Sequence, residues 1–412
     1  MTQRELFLQY QGQTSDTPLL LEFERAEGIY MFDKKGDKFI DIISGIGVSS
    51  VGHGHPKVVE AVKNQAEKYM HLMVYGEFVQ TPQVQLAQNL AKTLEGKIKQ
   101  TYNNNTSDNK ENKLQNTPTS FFVNSGSEAV EGALKLAKRF TKRTHIVSAE
   151  NAYHGSTQGC LSVCGDEDLK NAFRPLLPGI SHIRYNEITD LELITTQTAA
   201  VILEPIQGEA GVIIPTENYL KAVRKRCDAT GTLLIIDEIQ TGFGRTGKFW
   251  AFEHFGIQAD LIVCAKGMGG GMPIAAFIAP NHIMSLLKND PMLGHITTFG
   301  GNAVCAAASL ATLKIIQEEK LLEQVAQKEQ LFRTLLVHSK IKEVRSKGLI
   351  LAVAFENYET LKPIIDKAIT LGLVSDWFLF CDNAMRLAPP LIITKSQIED
   401  ACKIILEAIE TA

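Results

Sequence analysis

Five short apolar runs recur through the middle of the chain, at SFFV (120–123), HIVSA (145–149), AAVILEP (199–205), TLLIID (232–237) and LIVCAK (261–266). They are too short for buried helices and continuous rather than alternating. Each therefore reads as a strand covered on both faces, the kind that parallel sheets contain. The segments between them carry helical spacing, as in Val130, Ala133, Leu134, Ala137 and Phe140. Strands alternating with helices specify an α/β chain with a mostly parallel sheet. After about residue 305 the pattern shifts to longer helical stretches with two strand candidates, GLILAVAF (348–355) and MRLAPPLII (385–393), which predicts a second, smaller α+β unit. Near the start, GIYMFDKKGDKFIDI reads as a hairpin, and by pattern alone the first 50 residues belong to either unit. Residues 103–118, NNNTSDNKENKLQNTP, are polar and without period, and are expected to form a mobile inserted loop. There is no internal repeat.

Composition narrows the function classes. In 412 residues, 42 basic and 46 acidic side chains leave a net charge of −4 with no long basic block, so neither a phosphate-tracking nor a membrane-binding surface is indicated. Nucleic acid and membrane are thus not expected partners. The opening MTQRELFLQYQGQTSD lacks a basic region followed by an apolar core, and no apolar run is long enough to span a bilayer. A cytoplasmic protein is expected. The seven cysteines are odd in number and have no framework spacing, so they read as reduced thiols, with Cys160 and Cys164 as small packing residues. GHGHP (52–56) reads as a turn; no metal site is expected.

Several run ends carry chemistry. In NSGSE, strand 120–123 turns through Asn124, Ser125, Gly126 and Ser127 into a helix, offering free N–H groups and the positive dipole end to an anion. Ser127 with Glu128 as a simple N-terminal cap explains the same residues, and on this stretch both readings stay open. GFGRTGK (242–248) has the spacing of a phosphate-binding loop but places Phe249 where a metal-holding hydroxyl belongs, and KGMGGGMP (266–273) is a poor dinucleotide fingerprint. Asp237 closes one buried run, either as a turn cap or as the holder of a cationic ligand. Lys266 closes another, either snorkelling to solvent or desolvated and suited to Schiff-base chemistry. A phosphate cup, an aspartate and a lysine at the ends of three strands of one sheet are the anchors that pyridoxal phosphate needs for its phosphate, pyridine nitrogen and aldehyde.

Seven stretches together, NSGSEAVEGALKLAKRF, NAYHGS, LEPIQGEAGV, IIDEIQTGFGRTGKFWAFEHFG, CAKGMGGGMPIAA, TTFGGNAV and RLAPPL, resemble the class III aminotransferases of the acetylornithine, ornithine and 4-aminobutyrate type, in order from about residue 25 to 395. The resemblance implies the fold type I transferase architecture of pyridoxal-phosphate enzymes. There, residues 1–50 join a small domain built from the two chain ends, 51–305 form the large cofactor-binding domain and 306–412 complete the small one. It implies that Lys266 carries the Schiff base and shuttles the proton, and that Asp237 keeps the pyridine nitrogen protonated. Ser125, Gly126 and Ser127 match the phosphate cup, Tyr153 the stacking ring with His154 beside it, and Gln240 the residue at the phenolic oxygen. Thr298 matches a threonine that reaches the neighbouring subunit's phosphate, so a homodimer with interfacial sites is implied. Arg386 resembles the arginine that clamps a substrate carboxylate and Glu209 the acid that neutralises it in turn, with Glu204 standing behind them. A static surface ion pair is the plainer account of Glu209 and Arg386.

The implied activity moves an amino group from an ω-amino donor such as ornithine, acetylornithine or 4-aminobutyrate to a 2-oxo acid by a ping-pong mechanism. Same-fold isomerase (aminomutase) or lyase chemistry, or a catalytically silent regulator, are the alternatives. One position departs from the family pattern. Relatives often place an arginine after the HG that follows the stacking ring, where this chain has Ser156, and this predicts an acceptor preference shifted away from 2-oxoglutarate and toward smaller oxo acids such as pyruvate, relative to relatives with arginine there.

Overall fold

The alternating runs assemble into one seven-stranded sheet in the computed structural model, which describes residues 1–100 and 109–412. From edge to edge its strands are Pro118–Val123, Ala275–Pro280, Leu261–Cys264, Leu233–Asp237, Thr198–Leu203, His145–Ala149 and Ile180–Ile183. Ala275–Pro280 runs antiparallel to both neighbours, and the remaining pairings are parallel. All five runs read from the sequence are strands of this sheet. Every residue of Thr198–Leu203 and Leu233–Asp237 is buried, as continuous apolar runs require. Ile180–Ile183 escapes sequence reading because this edge strand is only half-buried, and Ala275–Pro280 because it follows a glycine-rich segment.

Helix Gly126–Thr141 lies against the sheet through Ala129, Val130, Ala133, Leu134 and Ala137. Phe140, expected on that face, is instead 39% exposed. It sits in the helix's last turn, where its ring meets the edge of His282. Helices Pro56–Lys68 and Thr81–Thr93 pack against Ala303–Glu318, which is buried almost all round. No helix among the described residues is long and apolar enough to cross a membrane.

The two chain ends share a sheet. The hairpin Tyr30–Asp33 and Lys38–Asp41 extends on one side to Phe23–Glu27 and on the other to Leu373–Val374, which pairs in parallel with Lys38–Asp41. A third sheet, wholly antiparallel, contains Glu343–Ser346, Leu351–Ala354, Cys381–Leu387 and Trp377–Phe378. The strand expected over 385–393 stops at Leu387, because Pro389 and Pro390 have no N–H to give a ladder. The loop expected over 103–118 is also corrected. Residues 101–108 lie outside the described residues, but Asn109–Asn116 is a helix and Pro118 already begins a strand. Glu, Lys, Gln and Leu favour helix without needing an apolar stripe. The last turn is tied down by Thr117 Oγ1, which donates to Lys113 O, and by the His282 ring at Gln115 O.

GFGRTGK serves packing. Arg245 is fully buried and donates to Leu349 O, Pro389 O and Ser50 Oγ, which ties its loop to the C-terminal segment. In GHGHP, His53 Nε2 lies 2.7 Å from Asp41 Oδ2 and His55 precedes helix Pro56–Lys68.

Candidate active site

Parallel strands end on one edge of the large sheet, and the loops that leave them enclose a cavity of about 380 Å³. This is where open α/β sheets bind ligands. Apart from Ser156, Glu209, Arg386 and Thr298, every site residue read from the sequence lines this one cavity.

At the first strand end, Ser125 caps helix Gly126–Thr141, its Oγ accepting from Glu128 N at 3.3 Å, while Glu128 itself turns back to Asn124 N at 2.7 Å. The cap leaves the Gly126 and Ser127 N–H groups without an acceptor among the described residues. Capping and anion binding are therefore both served by the same residues. The loop bearing Tyr153 presses against this terminus. At Gly155, with φ +119°, a Cβ would fall 2.2 Å from Ser127 Oγ, so only glycine permits the approach.

Asp237 is 3% exposed. Its Oδ1 accepts from Ile239 N at 2.9 Å, and its Oδ2 lies 2.7 Å from His154 Nδ1. His154 Nε2 is buried without a hydrogen-bond partner among the described residues. Lys266 follows strand Leu261–Cys264 by two residues and holds φ +46°, a left-handed conformation that costs a non-glycine residue about 1–3 kcal/mol and is sustained only where its surroundings enforce it. Its amine makes no hydrogen bond among the described residues. The side chain reaches the cavity but is otherwise enclosed, and this desolvation lowers its pKa, partly offset by Glu209. The side chain faces this cavity with the other site residues.

Glu204, just past strand Thr198–Leu203, accepts from Tyr153 N at 3.2 Å and from Gly208 N at 2.9 Å. Burial pushes the Tyr153 phenol up, and a hydrogen bond with the Ser156 side chain pulls it partly back. Ser156 itself is exposed beside the cavity.

Glu209 and Arg386 form a bidentate pair at 2.8 and 2.9 Å, and both are under 5% exposed, so the plainer reading as a surface ion pair fails. Burial alone would raise the Glu209 pKa, but the charge and hydrogen bonds of Arg386 hold it below the usual carboxylate range. Gln240 Nε2 donates to Glu209 Oε1 at 2.6 Å and lines both the main cavity and a small chamber beside Arg386. Three residues that the sequence reading missed complete this corner. Trp377 O accepts from Arg386, the Phe378 ring lies 4.7 Å beneath its guanidinium, and Asp376 Oδ1 lies 3.1 Å from its Nε without hydrogen-bond alignment. The stretch SDWF carries no pattern that announces them. Thr298 lies in a different cleft, with Met73 and Phe299.

Pyridoxal phosphate asks a protein for an amine, an acid and an anion-binding turn around one cavity, and these side chains fit that demand: a partly buried lysine with no hydrogen bond among the described residues, a buried aspartate and a helix terminus with free N–H groups. A mostly parallel sheet presenting all three from one edge defines the fold type I class of pyridoxal-phosphate enzymes.

The family is narrower than the fold. Residues 11–409 match the model of the family Aminotransferase class-III, and the chain belongs to that family of pyridoxal-phosphate-dependent transaminases. An acetylornithine aminotransferase of Methanopyrus kandleri is 36% identical, with all of each chain covered. A [LysW]-aminoadipate semialdehyde/glutamate semialdehyde transaminase of Sulfolobus acidocaldarius is also 36% identical, over 94% of this chain and 95% of its own. Among solved structures, the ornithine aminotransferase of Toxoplasma gondii superposes with a TM-score of 0.87 at 28% identity, covering 98% of this chain and 93% of that one. These relatives favour amino-group transfer over the isomerase and lyase alternatives.

Proposed function

We propose that this aminotransferase takes its amino group from an ω-amino donor of the ornithine or acetylornithine type and passes it to a 2-oxo acid, with the residues described above in distinct roles. The placement of Lys266 and Asp237 in one cavity with the Gly126 helix terminus is the observation that carries the reading. The N–H groups of Gly126 and Ser127, with the Ser125 and Ser127 hydroxyls, would hold the phosphate. Asp237, braced by His154, would hold a proton on the pyridine nitrogen; Tyr153 would cover the ring face and Gln240 meet the phenolic oxygen. The cofactor, when bound, supplies an electron sink for the carbanion left at the donor carbon.

Lys266 Nζ would then be the base that takes the proton from that carbon and delivers it to the former aldehyde carbon of the cofactor, a task for which a lowered pKa suits it. Glu209 and Arg386 serve as a substrate switch. With an ω-amino donor the pair stays closed and the far wall is neutral. With a 2-oxo acid, the substrate carboxylate takes the place of Glu209 on Arg386. Breaking a buried pair costs about 3–5 kcal/mol if a charge is left unpaired. Gln240 and the Leu379 N–H, both already bonded to Glu209, reduce that cost.

The reading extends to the assembly. The acting unit is a cytoplasmic homodimer in which Thr298 serves the partner's site, with the large domain over 51–305 and the small domain formed by 1–50 and 306–412. Two observations support it: exposed Met70, Met73, Phe78, Val84 and Phe299 line one cleft with Thr298, and the chain ends share a sheet.

Borohydride reduction of the cofactor-loaded protein followed by peptide mapping tests the central assignment. The reading expects the label on Lys266; a label on any other lysine contradicts it.

A further inference from the structure

We propose that Glu204 is a positioning residue that locks the loop bearing Tyr153 and His154 in register with the loop bearing Glu209. The carboxylate is 5% exposed and has no cation within hydrogen-bond reach. Such a group is costly to keep unless it does something that a neutral side chain cannot. Its two oxygens face different loops: Oε1 accepts the N–H of Tyr153 and Oε2 the N–H of Gly208. The backbone that carries it is fixed in turn, since Tyr185 Oη donates to Glu204 O at 3.0 Å.

What lies beyond each N–H gives the bridge its consequence. On one side stand the Tyr153 ring and His154, which contacts Asp237. On the other stands Glu209, bonded to Arg386 and Gln240. One side chain thus joins the wall that covers the cofactor to the acid that must leave and regain Arg386. Held at Gly208 N, the backbone stays in place while only the Glu209 side chain swings. A carboxylate accepts from both N–H groups at once; an amide in its place offers one oxygen and turns an NH₂ toward the other N–H. Burial pushes the Glu204 pKa up to about 7, the charge of His154 opposes this, Asp237 adds to it, and the two N–H bonds hold it down.

The proposal rests on the roles given above to Tyr153 and Glu209, but its test reads the bridge without turnover. Amide hydrogen exchange is measured at Tyr153 and Gly208 in the cofactor-loaded wild type, Glu204→Gln and Glu204→Asp, together with the circular dichroism of the bound cofactor. In Glu204→Gln the amide that faces the new NH₂ should exchange about tenfold faster or more, the scale of a lost charge-assisted bond, and the other, left with a neutral acceptor, by less, while the amides of helix Tyr219–Thr230 stay as in the wild type. The cofactor's dichroic band should weaken as the Tyr153 wall loosens. Glu204→Asp keeps the charge on a shorter stem, and should lie between the two in both amides and in the band. If Glu204→Gln fails to fold, the aspartate variant decides on the same two amides. Exchange that changes at neither amide, or equally across the whole chain, overturns the proposal.

Discussion

Lys266 and Asp237 were legible because each interrupts a buried apolar run, and a charge at the end of such a run needs a reason. The partners of Glu204 were not legible, since the N–H groups of Tyr153 and Gly208 come together only when two distant loops fold over one strand end. The same holds for Asp376 and Phe378, which meet Arg386 through the fold of a short hairpin. Ser156 is the residue whose effect on substrate choice is most open to measurement. It is exposed beside Tyr153 and offers a neutral hydroxyl where a guanidinium would grip a distal carboxylate. Charge-assisted contacts of that kind are worth about 1.5–3 kcal/mol, or roughly ten- to a hundredfold in specificity. In the proposed reading pyruvate needs only Arg386. The ratio of kcat/KM for pyruvate to that for 2-oxoglutarate should therefore be higher in the wild type than in Ser156→Arg by about that factor. A wild type that strongly prefers 2-oxoglutarate, with no gain on substitution, would count against the assignment.

Five of the seven strands of the large sheet were readable because their apolar runs are continuous, which burial on both sides favours. The half-buried edge strand Ile180–Ile183 and strand Ala275–Pro280 were not, and neither was the polar helix Asn109–Asn116, which has no stripe to see. Helix Gly126–Thr141 shows how an element can be bound to the sheet by what it lacks. On helix propensity alone, Gly132→Ala should stabilise by about 1 kcal/mol. A Cβ at Gly132, however, would stand 2.3 Å from the Phe277 ring, itself stacked on Phe121 in a fully packed layer. Overpacking costs about 1–3 kcal/mol, which outweighs the propensity gain. Chemical denaturation should show Gly132→Ala less stable than the wild type, and the added change Phe277→Leu should recover part of the loss. A more stable single variant would mean that the ring moves aside freely.

For the whole molecule, sequence order concealed that residues near 40 and 373 lie side by side in one sheet, because strand pairing between chain ends leaves no local mark. The position of Thr298, in an apolar cleft away from Lys266, bears on assembly. On the proposed reading the wild type should scatter as a dimer and Thr298→Ala should weaken cofactor retention in a protein that still folds; a fully active monomer would contradict the shared site. The central claim, that this chain transfers an amino group rather than rearranging or eliminating it, is open to one direct measurement. The cofactor-loaded protein is given an ω-amino donor of the ornithine type carrying an isotopic label on the reacting nitrogen, then freed of donor and given a 2-oxo acid. Transamination predicts that the label is retained by the protein after the first step and appears in the amino acid formed from the 2-oxo acid in the second. Label released as ammonia, or found only in a rearranged donor, would contradict the account.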